Sequence, residues 1–391
     1  MSLIAEGPAR EALRPAPASV APRGVRSIAM ELVSPEVWDE TVARFDGVCQ
    51  EQLYTFARNR WPGVTQEPVL FWEGSNLVGG SLMMIQRLPL GLSQIAIAKW
   101  GPMLARTDSS DALAVYAGMI DALVEDYSDK RGMMLSILPR ASLTTRNFEY
   151  EHLIERGFRK GTVLGFPSRY IVNLRLSDDE QRKSLNQKWR YHLNKSEKAG
   201  LSFERGEPGR VSEFAALYER MLDRKKFPDH SAYETVPGLM AMENEVLRPE
   251  VFFVRHEGEV IAGALIFKAG DRAVYLYGAT NDKALPLRAG YFMHWHIIRW
   301  LRDTTEARWY DLGGTDGFQG LHQFKKGMVG ERGVISPVPP VANYASKFVP
   351  FLLGTAAFNG RDLLHKIERW MDSWRSDRAH PDQKKPVAGD E

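Results

Sequence analysis

Apolar positions along the chain alternate between short strand-like runs and longer helical stripes. "MELVSPEVWDETVARF" reads as a strand followed by a helix that Ser34 caps and Pro35 opens. "PVLFWEGSNLVGGSLMMIQRL" is two apolar runs around Gly74-Ser75-Asn76, the pattern of a hairpin. "SQIAIAKWGPML" is a further strand, a long helix runs from about Ser110 to Lys130, and "MMLSILP" is strand-like again. "EYEHLIERGF" is a helix closed by Gly157, and this first unit ends near residue 165. The second half repeats the order. "SRYIVNLRL" is a strand, a basic helix runs from about Ser177 to Ala199, and another helix covers roughly 210–226. Three strands then follow, joined by tight turns at Glu257-Gly258 and Gly270-Asp271. The helix "AGYFMHWHIIRWLRD" leads to a last strand, "ARWYDLGG".

This order predicts an α/β (α+β) fold made of two tandem acyltransferase-type domains, each a mixed sheet flanked by helices. The expected boundaries are 28–165 and 166–343, with a C-terminal helical segment over 344–376 and disordered tails at 1–27 and 377–391. In the C-terminal segment the apolar run "FVPFLLGTAAF" is too short to span a bilayer. The amphipathic stretch after it carries Trp370 and Trp374. The segment is expected to pack on the second domain or to lie at a membrane interface.

Composition narrows the chemistry. The 391 residues are 44% hydrophobic and 26% charged, with a net charge of +2, so any basic surface must be local. The single cysteine, Cys49, excludes an internal disulfide and reads as a small packed side chain. His294 and His296 lie two apart, about 200° around a helix, and cannot share a metal. Residues 1–27 lack the continuous apolar run of a secretory signal. No metal or cofactor is expected.

The stretch "YDLGGTDGFQGLHQFKKGMVGE", Tyr310 to Glu331, places an acid at a strand end, then a glycine-rich loop, then Phe324-Lys325-Lys326. It resembles the C-terminal signature of the Fem family (FemABX), the aminoacyltransferases that build peptidoglycan cross-bridges. "CQEQLYTFARNRW", "AKWGPML" and "YLYGAT" resemble that family's other segments in the same order. The resemblance runs from near residue 30 to near 340 and implies two tandem GNAT-like domains. Residues 227–250 are too few for the long helical arm of some members, so the chain resembles the compact ones.

The resemblance implies a catalytic role for Lys325, which would stabilise the oxyanion formed when an amine attacks an aminoacyl ester. Phe324 would anchor it. Asp311, at a strand end, would orient Lys325, accept from the amine, or merely cap the turn. Tyr275 and Tyr277, two apart on a strand, are expected on one face, where they would line a peptide site or join the core. Arg58, Arg60 and Arg224 would grip the phosphate of a nucleotide- or lipid-linked muropeptide, or stand as exposed charges. On the basic helix, Arg190, Asn194 and Lys198 form an i, i+4, i+8 stripe. With Lys188 and Lys195 it would follow an aminoacyl-tRNA backbone.

The implied activity is transfer of an amino acid from aminoacyl-tRNA, as co-substrate, to an amine of a peptidoglycan precursor. The site would be cytoplasmic, with peripheral contact at the inner membrane as an option. The alternatives are an acyl-CoA-dependent N-acyltransferase acting on an envelope or exported polysaccharide, and a non-catalytic scaffold of envelope synthesis. Against CoA, the loop "LPLRAGYFMHW" offers only Arg288-Ala289-Gly290 where a fuller glycine turn normally holds a pyrophosphate.

Overall fold

The computed structural model describes residues 27–225 and 232–360. Two mixed sheets organise the chain, one of eight strands and one of seven. In each, antiparallel strands lead to one parallel pair joined by a crossover helix. In the first sheet Gln94–Lys99 runs parallel to Met134–Leu138, connected through helix Ala112–Leu123 and its π-helical continuation Val124–Lys130. In the second, Arg272–Thr280 runs parallel to Trp309–Asp311, connected through helix Ala289–Thr304. Met134–Leu138 is buried along its whole length, as its unbroken apolar run requires of a strand covered on both faces.

The main core of the second domain lies between its sheet and helix Ala289–Thr304. Trp295, Ile298 and Leu301 on the helix pack over Phe252, Val254 and Ile266 on the sheet. A separate apolar cluster joins the domains: Trp38, Phe56 and Leu82 meet Leu247, Phe267 and Val274. Burial of this shared surface holds the two sheets in one arrangement.

The end of the chain returns to the beginning. Strand Val334–Pro337 pairs with Ser168–Asn173 in the second sheet. Strand Ala342–Tyr344 then enters the first sheet, between Met134–Leu138 and Arg159–Lys160. The expected limit at 343 therefore falls inside a strand of the first domain's sheet. Residues 348–360 are helical, and Phe358 is buried against Ile95 and Met134. This run packs on the first domain and not on the second, because the preceding strand has already carried the chain there. Phe348, Val349 and Leu352 remain exposed. No helix among the described residues is long and apolar enough to cross a membrane. The tail expected at the N-terminus, the stretch with Trp370 and Trp374, and the tail at 377–391 lie outside the described residues, residue 27 apart.

The single basic helix expected over 177–199 is two helices, Asp178–Ser184 and Gln187–Glu197. Leu185 leaves helical geometry at ψ 146° and is buried, and Asn186 starts the second helix by accepting from the Lys188 amide at 3.0 Å. A second N-cap inside a continuous polar stripe is what divides it.

Candidate functional site

Strand Trp309–Asp311 ends at a turn built by its own acid. Asp311 Oδ1 accepts from the Gly313 amide at 2.9 Å, and Gly313 takes φ +76°, a conformation that favours glycine. The carboxylate is 4% exposed and receives Arg169 Nε at 3.1 and 3.2 Å on its two oxygens. Burial alone would raise this carboxyl, but Arg169 and Arg272 hold it below its ordinary value. Asp311 thus pairs with Arg169 and caps the turn; it makes no hydrogen bond to Lys325.

The segment after the loop is a helix, Gln319–Val329, which carries Phe324 and Lys325. Phe324 packs among Trp189, Tyr291 and His294. Lys325 is 6% exposed, and its Nζ donates to the Leu312 carbonyl at 2.6 Å and to the Gly314 carbonyl. The ammonium therefore clamps the turn that Asp311 starts, and it keeps one N–H for a further acceptor. Burial, with Arg169 nearby, pushes the amine down to about 8. His294 beneath it is pushed down to about 3 by burial and by Lys325, so it is neutral at physiological pH. Its Nδ1 lies 3.2 Å from the Tyr310 hydroxyl. Lys326 is exposed.

The two tyrosines do not share a face. A bulge in the pairing of Glu259–Phe267 with Arg272–Thr280 sets Leu265 opposite Tyr277 and Ile266 opposite Tyr275, leaving Leu276 as the extra residue. The inserted residue reverses the alternation. Tyr275 consequently packs with Ile266 and His294 under helix Ala289–Thr304. Its hydroxyl lies over Gly278, where a Cβ would meet it at 1.5 Å. Tyr277 points to the other side, edge-on to Tyr218 and Tyr233, whose rings stack at 4.3 Å.

The expected phosphate contacts divide. Arg58 is exposed at the end of helix Tyr54–Arg60. Arg60 pairs with Glu234 at 2.5 Å, tying the first domain to the second. Arg224 binds Asp282 at 2.5 Å and the Thr280 carbonyl at 2.9 Å, at the end of the strand that carries Tyr277. The basic stripe lies on helix Gln187–Glu197 and its cap Lys198, and two of its members are already engaged. Arg190 donates to the Lys183 and Leu185 carbonyls, both at 2.7 Å, closing the first of the two helices. Asn194 accepts from Arg182. Lys188, Lys195 and Lys198 are exposed.

Several charged residues that the sequence did not single out meet between the domains. Glu51 pairs with Lys99, and although burial raises its carboxyl, Lys99 holds it down. Arg169 reaches Asp311 from the neighbouring strand of the second sheet. A narrow cleft of about 20 Å³ lies among Cys49, Glu51, Arg169, Arg272 and Asp311. Cys49 is buried there, and burial pushes its thiol up, which suits a packed side chain. An arginine inside the apolar run "SRYIVNL" was the visible signal for Arg169. Glu51 sits in a polar turn and gave none. Among the described residues no group of His, Cys, Asp and Glu could hold a metal.

Residues 180–326 match the family model described as acetyltransferase (GNAT) domain. The second domain is a GNAT-type acyltransferase domain. Among solved structures, FemX aligns with a TM-score of 0.66 at 16% identity, covering 81% of this chain and 97% of that one. The C-terminal domain of a putative lysylphosphatidylglycerol synthetase from Agrobacterium fabrum aligns with a TM-score of 0.52 at 15% identity, covering 83% and 95%. L-PGS from Bacillus licheniformis gives 0.50 at 13% identity, covering 83% and 96%. At these identities the likeness is one of fold. No curated protein matches the chain by sequence.

Proposed function

We propose that this chain is a Fem-like aminoacyltransferase that moves an amino acid from aminoacyl-tRNA to an amine of a peptidoglycan precursor at the cytoplasmic side of the cell envelope. The observation that carries the reading is the buried Lys325 at the end of strand Trp309–Asp311, behind the Phe324 anchor, in a fold that aligns with FemX. The amine nitrogen attacks the ester carbonyl carbon, and negative charge gathers on its oxygen. The third N–H of Lys325 stabilises that charge, its direction fixed by the two carbonyls it already clamps. The C–O ester bond then breaks, the amide forms, and the amine's proton leaves on the departing ribose oxygen. Positioning and charge stabilisation suffice because the ester is already activated. Arg58, Arg60 and Arg224 would receive the acceptor's phosphate, the last two by exchanging Glu234 and Asp282 for it.

The GNAT-domain match favours a second reading, an acyl-CoA-dependent N-acyltransferase acting on an envelope or exported polysaccharide. Helix Ala289–Thr304 begins after Arg288 in a left-handed conformation, and its first amides would face the donor's pyrophosphate. One assay separates the two. Purified protein receives labelled aminoacyl-tRNA pools and labelled acetyl-CoA in parallel, with muropeptide precursors and an amino-sugar glycan as acceptors. Label passing from tRNA to the muropeptide supports the first reading. Label passing only from the thioester refutes it in favour of the second.

A further inference from the structure

A second cavity lies between the domains at the opposite end of the second sheet from Tyr277. Arg272 and Trp309 pair at the first residues of the two parallel strands, whereas Tyr277 lies near the far end of Arg272–Thr280. Around Arg272 and Trp309 the domains enclose about 390 Å³, the size of a small-ligand pocket. The first domain contributes the Gly101-Pro102 turn and residues 140–144 and 147–149, and the second contributes Arg175, Asp271, Arg272, Arg308 and Trp309.

Its charges are unevenly matched. Asp108 and Asp271 are already engaged by Arg308 and Thr107. Arg140 donates to the Gly47 carbonyl at 3.3 Å, Arg175 lies over the Trp309 ring, and Arg272 donates to the Ala141 carbonyl at 2.9 Å. Among the described residues none of these three makes an ion pair. Arg272 is 7% exposed, and its Nε has no hydrogen-bond partner. A buried guanidinium N–H without an acceptor is costly, and an anion in the cavity would satisfy it. The remaining acid, Glu149, is pushed up to about 7 by burial and so opposes an anion only in part at neutral pH. Trp100 and Trp309 supply flat apolar wall beside these groups.

We infer that this interdomain cavity binds a small organic anion, a carboxylate or phosphate on a flat apolar body, through Arg272, Arg140 and Arg175. The cavity adjoins the cleft that holds Asp311, sharing Trp100, Arg140, Ala141 and Arg272 with it, but anion binding there does not rest on the donor or acceptor proposed above. Because both domains line it, a bound anion stabilises their arrangement.

Calorimetric titration of the full chain tests this with phenyl phosphate, phenylacetate and the neutral 2-phenylacetamide. The expected result is saturable binding of at least one anion. Binding should be at least about tenfold weaker for the amide and for Arg272→Met, the loss of one charge-assisted hydrogen bond. The phosphate and carboxylate arms decide which head group is held. Should Arg272→Met fail to fold, the pair Arg140→Gln and Arg175→Gln, on half-buried and exposed side chains, must weaken binding by the same measure. No binding of either anion up to about 10 mM, or binding unchanged in the arginine variants, overturns the inference.

Discussion

Lys325 combines two tasks that a single substitution separates. Its ammonium holds the Leu312 and Gly314 carbonyls, and its remaining N–H is the proposed oxyanion donor. Lys325→Ala should lower single-turnover transfer roughly 10²–10³-fold, the usual cost of one such donor. With the amine pushed down to about 8, the cationic form that donates is lost as pH rises through that value. Transfer should therefore fall above about pH 8, and Lys325→Arg, always charged, should lack that descending limb. The same depressed value means that the unfolded chain binds more protons between about 8 and the ordinary lysine value of about 10.4. Stability contributed at this position accordingly rises with pH across that interval. Asp311 answers to a different measurement. Asp311→Asn leaves Arg169 half-buried without its ion partner, and urea unfolding should show a loss of about 3 kcal/mol. At this scale the sequence displayed Lys325, Phe324 and Asp311 through the motif that holds them. It did not display Asp311's partner, because Arg169 lies 142 residues earlier and only the sheet brings them together.

Elements explain where residue spacing misleads. Tyr275 and Tyr277 read as one face because a regular strand alternates with period two, and the bulge at Leu276 cancels that rule. Deleting Leu276 should restore regular alternation, force one tyrosine out of its cluster and remove activity; loss of the native near-UV circular dichroism checks the repacking. The basic stripe keeps its spacing, since all of it lies on helix Gln187–Glu197 and its cap Lys198. Periodicity does not show, however, that Arg190 is consumed in closing the preceding helix and that Asn194 accepts from Arg182. The tRNA reading now rests on Lys188, Lys195 and Lys198. Replacing these three with Gln should raise the tRNA KM and reduce the salt slope of binding by about 0.7–0.9 for each phosphate no longer neutralised. Arg190→Ala should lower the melting temperature and leave that slope unchanged.

At the scale of the whole molecule, the two-copy organisation was legible because strands, helices and turns recur in the same order in both halves. Sheet membership of the last strand was not legible, since pairing partners carry no local signal. Ala342–Tyr344 lies between two strands of the first sheet, so a chain ending at 341 should lose that sheet's continuity. Such a truncation should be recovered mainly insoluble, although it retains every residue of the proposed reaction site. The interdomain placement of Glu51, Lys99, Arg140 and Arg272 likewise depends on docking two domains, which periodicity in either half cannot show. Each of these charges reads in the sequence as an ordinary turn or strand-end residue.

The measurement that bears most directly on the proposed chemistry is a single-turnover assay with labelled aminoacyl-tRNA and a muropeptide acceptor. It compares the unaltered chain with Lys325→Ala, both verified as folded by thermal unfolding. Transfer by the unaltered chain, reduced roughly 10²–10³-fold in the variant, is the expected result. Equal transfer by both proteins would remove Lys325 from the reaction, and no transfer by either would contradict the aminoacyltransferase reading itself.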